Sequence, residues 1–540
     1  MVALKKISPL ILALAVLWAV VFVTLNASIS ENGGRLIYSL DDAYIHMAMS
    51  KNLAEHGVWG VTRYEFSSTS SSLAWTLLIS LFYTLFGVGE ATPFIFNFFL
   101  ATVLIVFLFY VLDRFPMSRT QKMLWLLAFV AIIPLPYLIF GGLEHVLQHL
   151  ANLLYVAAAA AILAGDRQSA AWDRVLLLVF SCLVVLIRFE GMFIVFVVSV
   201  LLLFRKRFLL AVLNGLAAAL PLVIYGLISL QKGWYFLPSS VLLKGYKPDF
   251  STLKGVLGFL YLGSRQLVYN IHILVLVVAV LFMMILFMRR EKRFWEKPLI
   301  LASIFLATTL IHMFFARSGY FLNRVSQIRY DAYLVTLGLF ALLHLVVSNR
   351  EAAAGKRGPA KWARALLAVF LLLPLLEWGV QSNSQVVRSS HNIYSQQYQM
   401  GRFLRQFYQG QSVVANDIGA INFLADIRCF DIWGLASRDI ADAVLEKTYT
   451  GAEISRLARL TGAGIAIVYD YPFYFKTVGG IPPGWMRVAQ WTIPDNVICA
   501  ADTVSFYALD PSEIPRLTAC LRRFSPQLPA GVRERGVHLR

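Results

Sequence analysis

The chain is 540 residues long, with 59% hydrophobic residues against 14% charged ones and a net charge of +18. Such a balance excludes an ordinary soluble enzyme and describes a polytopic membrane protein. The positive excess does not argue for nucleic-acid binding, because most of it sits in short loops between apolar segments, where it orients the chain in a bilayer.

Lys5 and Lys6 precede an apolar run from Ile7 to Ile29. That run is too long for a signal-peptide core, and no small-x-small cleavage site follows it, so it reads as a retained first span. A span needs about 20 apolar residues, or fewer where protein surrounds the helix. Spans are expected at 8–29, 94–112, 123–140, 146–164, 175–187, 191–204, 208–230, 266–288, 298–316, 330–348 and 364–380. Cationic clusters separate them: Lys5-Lys6, Arg114 to Lys122, Arg167 to Arg174, Arg205-Lys206-Arg207, Arg289 to Lys297 and Arg350 to Arg364. All are assigned to the cytoplasm by the positive-inside rule. Leu73 to Val88 is apolar but short, with Gly89 and Pro93 after it. Counting it as a span would invert the charge bias of every later loop, so it reads as a juxtamembrane or re-entrant helix. The total is about eleven spans with the C-terminus outside.

The first outer loop, residues 31–93, carries the adjacent acids Asp41 and Asp42, then His46 and a run from Ser67 to Ser72. Neighbouring carboxylates repel unless a cation or hydrogen-bond donor shares their site. The bland alternative is a solvated loop or helix cap, and the Ser/Thr run equally caps the next helix. Glu144 and His145 lie at the outer turn between two spans, and Arg188 and Glu190 lie between two short helices. An internal salt bridge explains Arg188 and Glu190 as well as a substrate contact does. Trp234 and Tyr235 fit an aromatic belt. Lys244, Arg317, Arg324 and Arg329 are outer-side cations that run against the charge rule, and their gathering suggests an anionic ligand such as a lipid phosphate.

After Gly379 the composition changes to scattered charges of both signs with frequent Gly and Pro. Short apolar runs at 412–415 and 464–469 alternate with helix-like stretches at 396–408 and 451–460, which predicts a small α/β domain with a sheet. No close cysteine pair has metal-ligand spacing. Outside the cytoplasm, Cys429, Cys499 and Cys520 allow one disulfide and one odd thiol, with Cys499 and Cys520 the favoured pair and the connectivity left open by the sequence.

Taken together, Asp41-Asp42-Ala43-Tyr44-Ile45, Gly142-Leu143-Glu144, Arg188-Phe189-Glu190-Gly191, Leu237-Pro238-Ser239-Ser240 with Lys244, Arg329-Tyr330, Asn416 to Ile421 and Asp431 to Leu435 resemble the bacterial GT-C membrane glycosyltransferases. The likeness is to the arabinofuranosyltransferase and mannosyltransferase-like branch that uses polyprenyl-phosphate sugars, and it covers nearly the whole chain. Phe189 stands where that family often has Pro, and Ser239 departs from its Pro-Asn-Ser pattern.

The resemblance implies a GT-C-like, α-helical membrane domain over 1–380 and an extracytoplasmic α/β domain over 381–540. It implies an inverting glycosyltransferase of the bacterial cytoplasmic (inner) membrane. The donor would be a polyprenyl-phosphate sugar, arabinofuranose-like or other. The acceptor would be a cell-envelope glycan, a lipid-linked saccharide or a protein. Asp41 or Asp42 is then the catalytic base, with Asp41 matching the family's acid. Substrate contacts fall to Tyr44, His46, Glu144, Arg188, Glu190, Lys244, Arg324, Arg329 and Tyr330. The family admits a divalent metal ion, although no Asp-x-Asp or His cluster demands one. The rival readings are a lipid-linked saccharide flippase, which needs paired broken helices, and a non-catalytic scaffold of the same fold.

Overall fold

The computed structural model describes residues 2–165, 170–245, 248–291, 294–316, 324–352, 361–469, 475 and 478–539. Helices dominate the chain as far as residue 407. They are α1 (Val2–Glu31), α2 (Asp41–His56), α3 (Leu73–Phe86), α4 (Thr92–Asp113), α5 (Arg119–Ile132), α6 (Leu135–Phe140), α7 (His145–Ala164), α8 (Ala170–Ile187) and α9 (Gly191–Phe204). There follow α10 (Phe208–Gln231), α11 (Ser239–Lys244), α12 (Leu253–Tyr269), α13 (Ile271–Met288), α14 (Lys297–Phe315), α15 (Arg324–Ala352), α16 (Lys361–Ser384), α17 (Val386–Ile393) and α18 (Gln399–Phe407).

Seven helices among the described residues are long and apolar enough to cross a membrane: Ile7–Glu31, Thr92–Asp113, His145–Ala164, Phe208–Gln231, Ile271–Met288, Lys297–Phe315 and Ile328–Asn349. The span expected at 123–140 is instead broken into α5 and α6, because Pro134 offers no N–H and forces the residue before it out of helical geometry. The span expected at 266–288 begins later, since the chain breaks at Asn270 between α12 and α13. The short apolar segment that begins at Leu73 forms α3, 14 residues long. At about 1.5 Å per residue it falls short of a ~30 Å hydrocarbon core. One of its faces buries Trp75, Ile79 and Tyr83, while Leu77, Leu81 and Leu85 point outward.

Beyond α16 the chain runs through α17 and one π-helical stretch, Tyr394–Tyr398, into α18. The wider π turn lets successive side chains serve different neighbours. The Gln396 amide donates to the carbonyls of Ala501 and Asp502, Gln397 donates to Asp417, and the Tyr398 ring packs against Tyr44. At the other end of this segment the Asn32 amide donates to Ser390, tying it to the outer end of α1.

A six-stranded sheet follows, with β1 (Ser412–Ala415), β2 (Arg428–Asp431), β3 (Ile465–Val468), β4 (Met486–Thr492), β5 (Thr503–Ala508) and β6 (Arg533–Gly536) in the order β2-β1-β3-β5-β4-β6. Strands β2, β1 and β3 are parallel and the rest antiparallel. Strand β3 lies where the sequence has an uninterrupted apolar run and is buried along its length, as a strand covered on both faces must be. Helices α19 (Ala420–Leu424), α20 (Arg438–Leu445), α21 (Gly451–Leu460) and α22 (Glu513–Phe524) connect the strands or cover the sheet. One face packs on Met400, Phe403, Trp491, Phe506 and Phe524, and the other on Ile440, Ile454, Leu457 and Tyr507.

All four cysteines are free, which overturns the expected Cys499–Cys520 disulfide. Cys499 is buried and its thiol instead donates to Gln397 Oε1 at 3.4 Å.

Trp491 is fully buried, with ring centroids of Phe506 and Phe524 at 4.4 and 5.6 Å. Trp491→Ala removes a side chain of a kind that contributes about 3–5 kcal/mol. We expect limited proteolysis to cleave the segment after residue 390 sooner than in the wild type while the membrane helices stay resistant. Unchanged cleavage would mean that this aromatic cluster does not hold the sheet.

Candidate functional site

A cavity of about 260 Å³ lies between the ends of α2, α9, α14 and α15. Of the acids and cations expected at a site, Asp42, His46, Arg188, Glu190, Arg329 and Tyr330 line it. Asp41, Tyr44 and Glu144 do not, although Glu144 bonds to lining residues. The side chains of Lys244 and Arg324, and the whole of Arg317, lie outside the described residues.

Asp41 and Asp42 open α2, and successive side chains on a helix point about 100° apart. That offset separates their roles. The Asp41 carboxylate accepts the Gly419 and Ala420 N–H groups at 2.9 and 2.8 Å, at the start of α19. Gly419 is required by the approach, since a Cβ there would sit 2.2 Å from the Asp41 carbonyl oxygen. Burial, then the charge of Asp417, pushes the Asp41 pKa up, against the pull of those two N–H groups. Asp42 turns the other way, its side chain 36% exposed, and accepts from Arg329 Nη2 at 2.5 Å.

Arg188 is the hub of a buried ion lattice. It donates Nη1 to Glu144 at 2.8 Å, and Nε and Nη2 to the two oxygens of Glu190 at 3.0 and 2.6 Å. Turn geometry sets Glu144: Gly142 has φ +67°, and a Cβ there would meet Tyr38 at 2.5 Å. Trp75 Nε1 and Asn97 Nδ2 then hold the carbonyls of Gly142 and Leu143 at 3.2 and 2.9 Å. Burial tends to raise the Glu144 carboxyl, but Arg188, with His145 and His46, prevails and holds it at about 2.

Tyr330 lies between the two guanidiniums, with Arg188 5.4 Å and Arg329 4.9 Å from its ring centre. Arg329 differs from Arg188 in one respect. Its Nη2 serves Asp42 and the Tyr330 hydroxyl, but its buried Nε and Nη1 have no partner among the described residues. An unmet buried donor costs about 1–3 kcal/mol, so these two N–H groups are suited to an incoming anion.

His46 binds Thr76 at 2.7 Å through Nδ1 and Ser71 at 3.2 Å through Nε2, and burial lowers its pKa. Both ring nitrogens are thus engaged, which fixes the orientation of the imidazole in the cavity wall. Thr69 and Ser71 of the hydroxyl run also line the cavity, and residues not singled out from the sequence complete the lining: His312 and Phe315 of α14, and Met192 and Phe193 of α9. The apolar members carried no signal of their own, because an apolar residue in an apolar helix is unremarkable in sequence. Among the described residues no group of three or more His, Cys, Asp or Glu is arranged to hold a metal ion.

Comparison with known proteins yields a fold likeness. Two crystal structures of ArnT from Cupriavidus metallidurans superpose with a TM-score of 0.51. The one bound to undecaprenyl phosphate is 12% identical and covers 94% of this chain and 99% of its own. The apo structure is 13% identical, with 93% and 98% coverage. Residues 391–507 match a family described as a domain of unknown function, DUF8728. No curated protein matches by sequence.

The Glu144 result fixes a pH dependence. Its folded pKa lies below that of an unfolded glutamate, about 4.3. The bridge therefore contributes fully above that value and is lost as pH falls toward about 2. Glu144→Gln should lower the detergent-solution Tm at neutral pH and flatten the Tm decline between about pH 5 and 3. An unaltered acid limb would show that Arg188 does not hold this carboxylate.

Proposed function

We propose that the chain is an inverting GT-C-type glycosyltransferase that takes a sugar from a polyprenyl-phosphate donor. The observation that carries this reading is the pair of buried Arg329 N–H groups, without a partner among the described residues, beside Asp42 in a cavity that also has an apolar wall. An anion and a hydrocarbon chain on one ligand match those two surfaces. The ArnT-like fold supports the same substrate class, since a solved ArnT structure is bound to undecaprenyl phosphate.

In this reading the donor phosphate takes an Arg329 N–H, Nε or Nη1, that has no partner among the described residues. The acceptor hydroxyl attacks the anomeric carbon from the face opposite the phosphate. The carbon–oxygen bond to phosphate breaks with its electron pair leaving on the phosphate, where Arg329 stabilises the growing charge. The hydroxyl proton passes to Asp42, the acid that faces the cavity. Asp41 is assigned to holding α19, which revises the sequence expectation that it acts as the base. Arg188, occupied by Glu144 and Glu190, sets the cavity wall and does not bind phosphate.

We further assign the cavity and the C-terminal sheet to the extracytoplasmic face of a chain with about eleven spans, on the charge distribution of its loops. The acceptor would be a cell-envelope glycan, a lipid-linked saccharide or a protein. The sequence likeness to the arabinofuranosyltransferase branch is the only pointer to an arabinofuranose-like sugar.

Turnover in nanodiscs, read as release of undecaprenyl phosphate from its sugar conjugate, tests the phosphate assignment. Arg329→Gln should reduce transfer by at least about 100-fold with the Tm nearly unchanged, and Arg329→Lys should restore only part of it. Normal turnover in Arg329→Gln would remove the basis of the reading.

A further inference from the structure

A second groove, of about 330 Å³, shares no lining residue with the first cavity. Arg35, just beyond α1, and Glu90, just before α4, form one side; Tyr398, Arg402 and Arg405 form the other, with Gln527 nearby. An adjoining groove of about 430 Å³ shares Glu90 and Arg405 and reaches Lys51, Gln409 and Phe423.

The charges here are unbalanced. Three guanidiniums face one carboxylate. Among the described residues Arg402 donates to the neutral amides of Gln399 and Gln527, at 2.9 and 3.4 Å. Arg35 donates to the Tyr398 hydroxyl at 3.3 Å. Arg405 makes no hydrogen bond or ion pair among the described residues, and the three arginines form no ion pair there. Burial raises the Glu90 pKa, with Arg35 opposing, and the second acid of the adjoining groove, Asp426, is paired with Arg63 at 2.7 Å.

The rest of the lining narrows the ligand. Gln527 accepts from Arg402 and donates to Gln406 Oε1, and Gln409 Oε1 accepts from the Asp426 N–H. The amide N–H groups of Gln406 and Gln409 are thus left to suit hydroxyl oxygens, while the Tyr398 and Phe423 rings offer flat apolar faces. Apolar surface is otherwise limited to Leu424 and Val88, too little for acyl chains.

We propose that this groove binds an anionic saccharide, its phosphate or carboxylate held by Arg35, Arg402 and Arg405 and its hydroxyls by the glutamine amides. The site goes beyond the transferase reading, and its anion chemistry stands without it. A soluble glycan and a lipid-linked headgroup would present the same chemistry.

The test is calorimetric titration of the full-length protein in neutral detergent with glucose 1-phosphate and with trigalacturonate. Both are run in an Arg329→Gln background so that the first cavity does not contribute. Maltotriose serves as the neutral control. At least one acidic probe should bind, maltotriose should bind at least about 10-fold more weakly, and salt should weaken the acidic probe. Adding Arg402→Gln and Arg405→Gln should weaken that probe about 10-fold or more with the Tm unchanged. Trigalacturonate binding identifies a carboxylate-bearing glycan and glucose 1-phosphate a phosphate ester; competition by a short-chain lipid-linked sugar phosphate adds the lipid-linked source. Equal affinity with and without the two arginines overturns the site. Binding of phosphatidylglycerol in nanodiscs with neither acidic sugar bound overturns the saccharide.

Discussion

Helix α2 holds α19 by both ends, and the placement of the cavity and of the C-terminal sheet follows from that. Asp41 accepts two N–H groups where α19 begins. Lys51 Nζ donates to the carbonyls of Phe423 and Asn422 at 2.7 and 3.4 Å where it ends. An anion at the N-terminus and a cation at the C-terminus each oppose the partial charge of that helix end. The same contact fastens the C-terminal sheet to the first outer loop. It also fixes the rotation of α2, so that Asp42 faces the cavity once Asp41 is engaged.

Two arginines of similar sequence setting come to differ through their partners. Arg188 meets two carboxylates, and its charge is balanced within the protein. Arg329 meets one carboxylate with one nitrogen and keeps two donors unmet. Breaking the Arg188 lattice leaves a buried charge without compensation, commonly a loss of about 3–5 kcal/mol. Filling the Arg329 donors with an anion relieves a cost already present. One arginine therefore stabilises the wall and the other is the better candidate for binding.

Much of this was legible in the sequence, and the failures have physical causes. Long apolar runs and strand-like segments such as 412–415 and 465–468 have a period and a composition that announce them. Arg188 and Glu190 were readable as an internal bridge, and that is the bond they form. Adjacency could not show which of Asp41 and Asp42 faces a cavity, because the answer depends on Gly419, 378 residues away along the chain from Asp41. Pro134 alone does not announce the break between α5 and α6, because the residues on both sides of it are apolar enough to read as one span. The apolar lining from Met192, Phe193 and Phe315 is hidden for the same reason, since pocket and lipid-facing residues share one chemistry in a membrane helix.

The central claim is the division of labour between the two acids. Its most direct measurement pairs single-turnover transfer with hydrogen exchange of the segment 417–424 in Asp41→Asn and Asp42→Asn. The account predicts that Asp42→Asn loses transfer by at least about 100-fold while exchange stays as in the wild type. It predicts that Asp41→Asn accelerates exchange in α19 and keeps measurable transfer. Loss of transfer in Asp41→Asn with exchange unchanged, alongside near-normal turnover in Asp42→Asn, would contradict it.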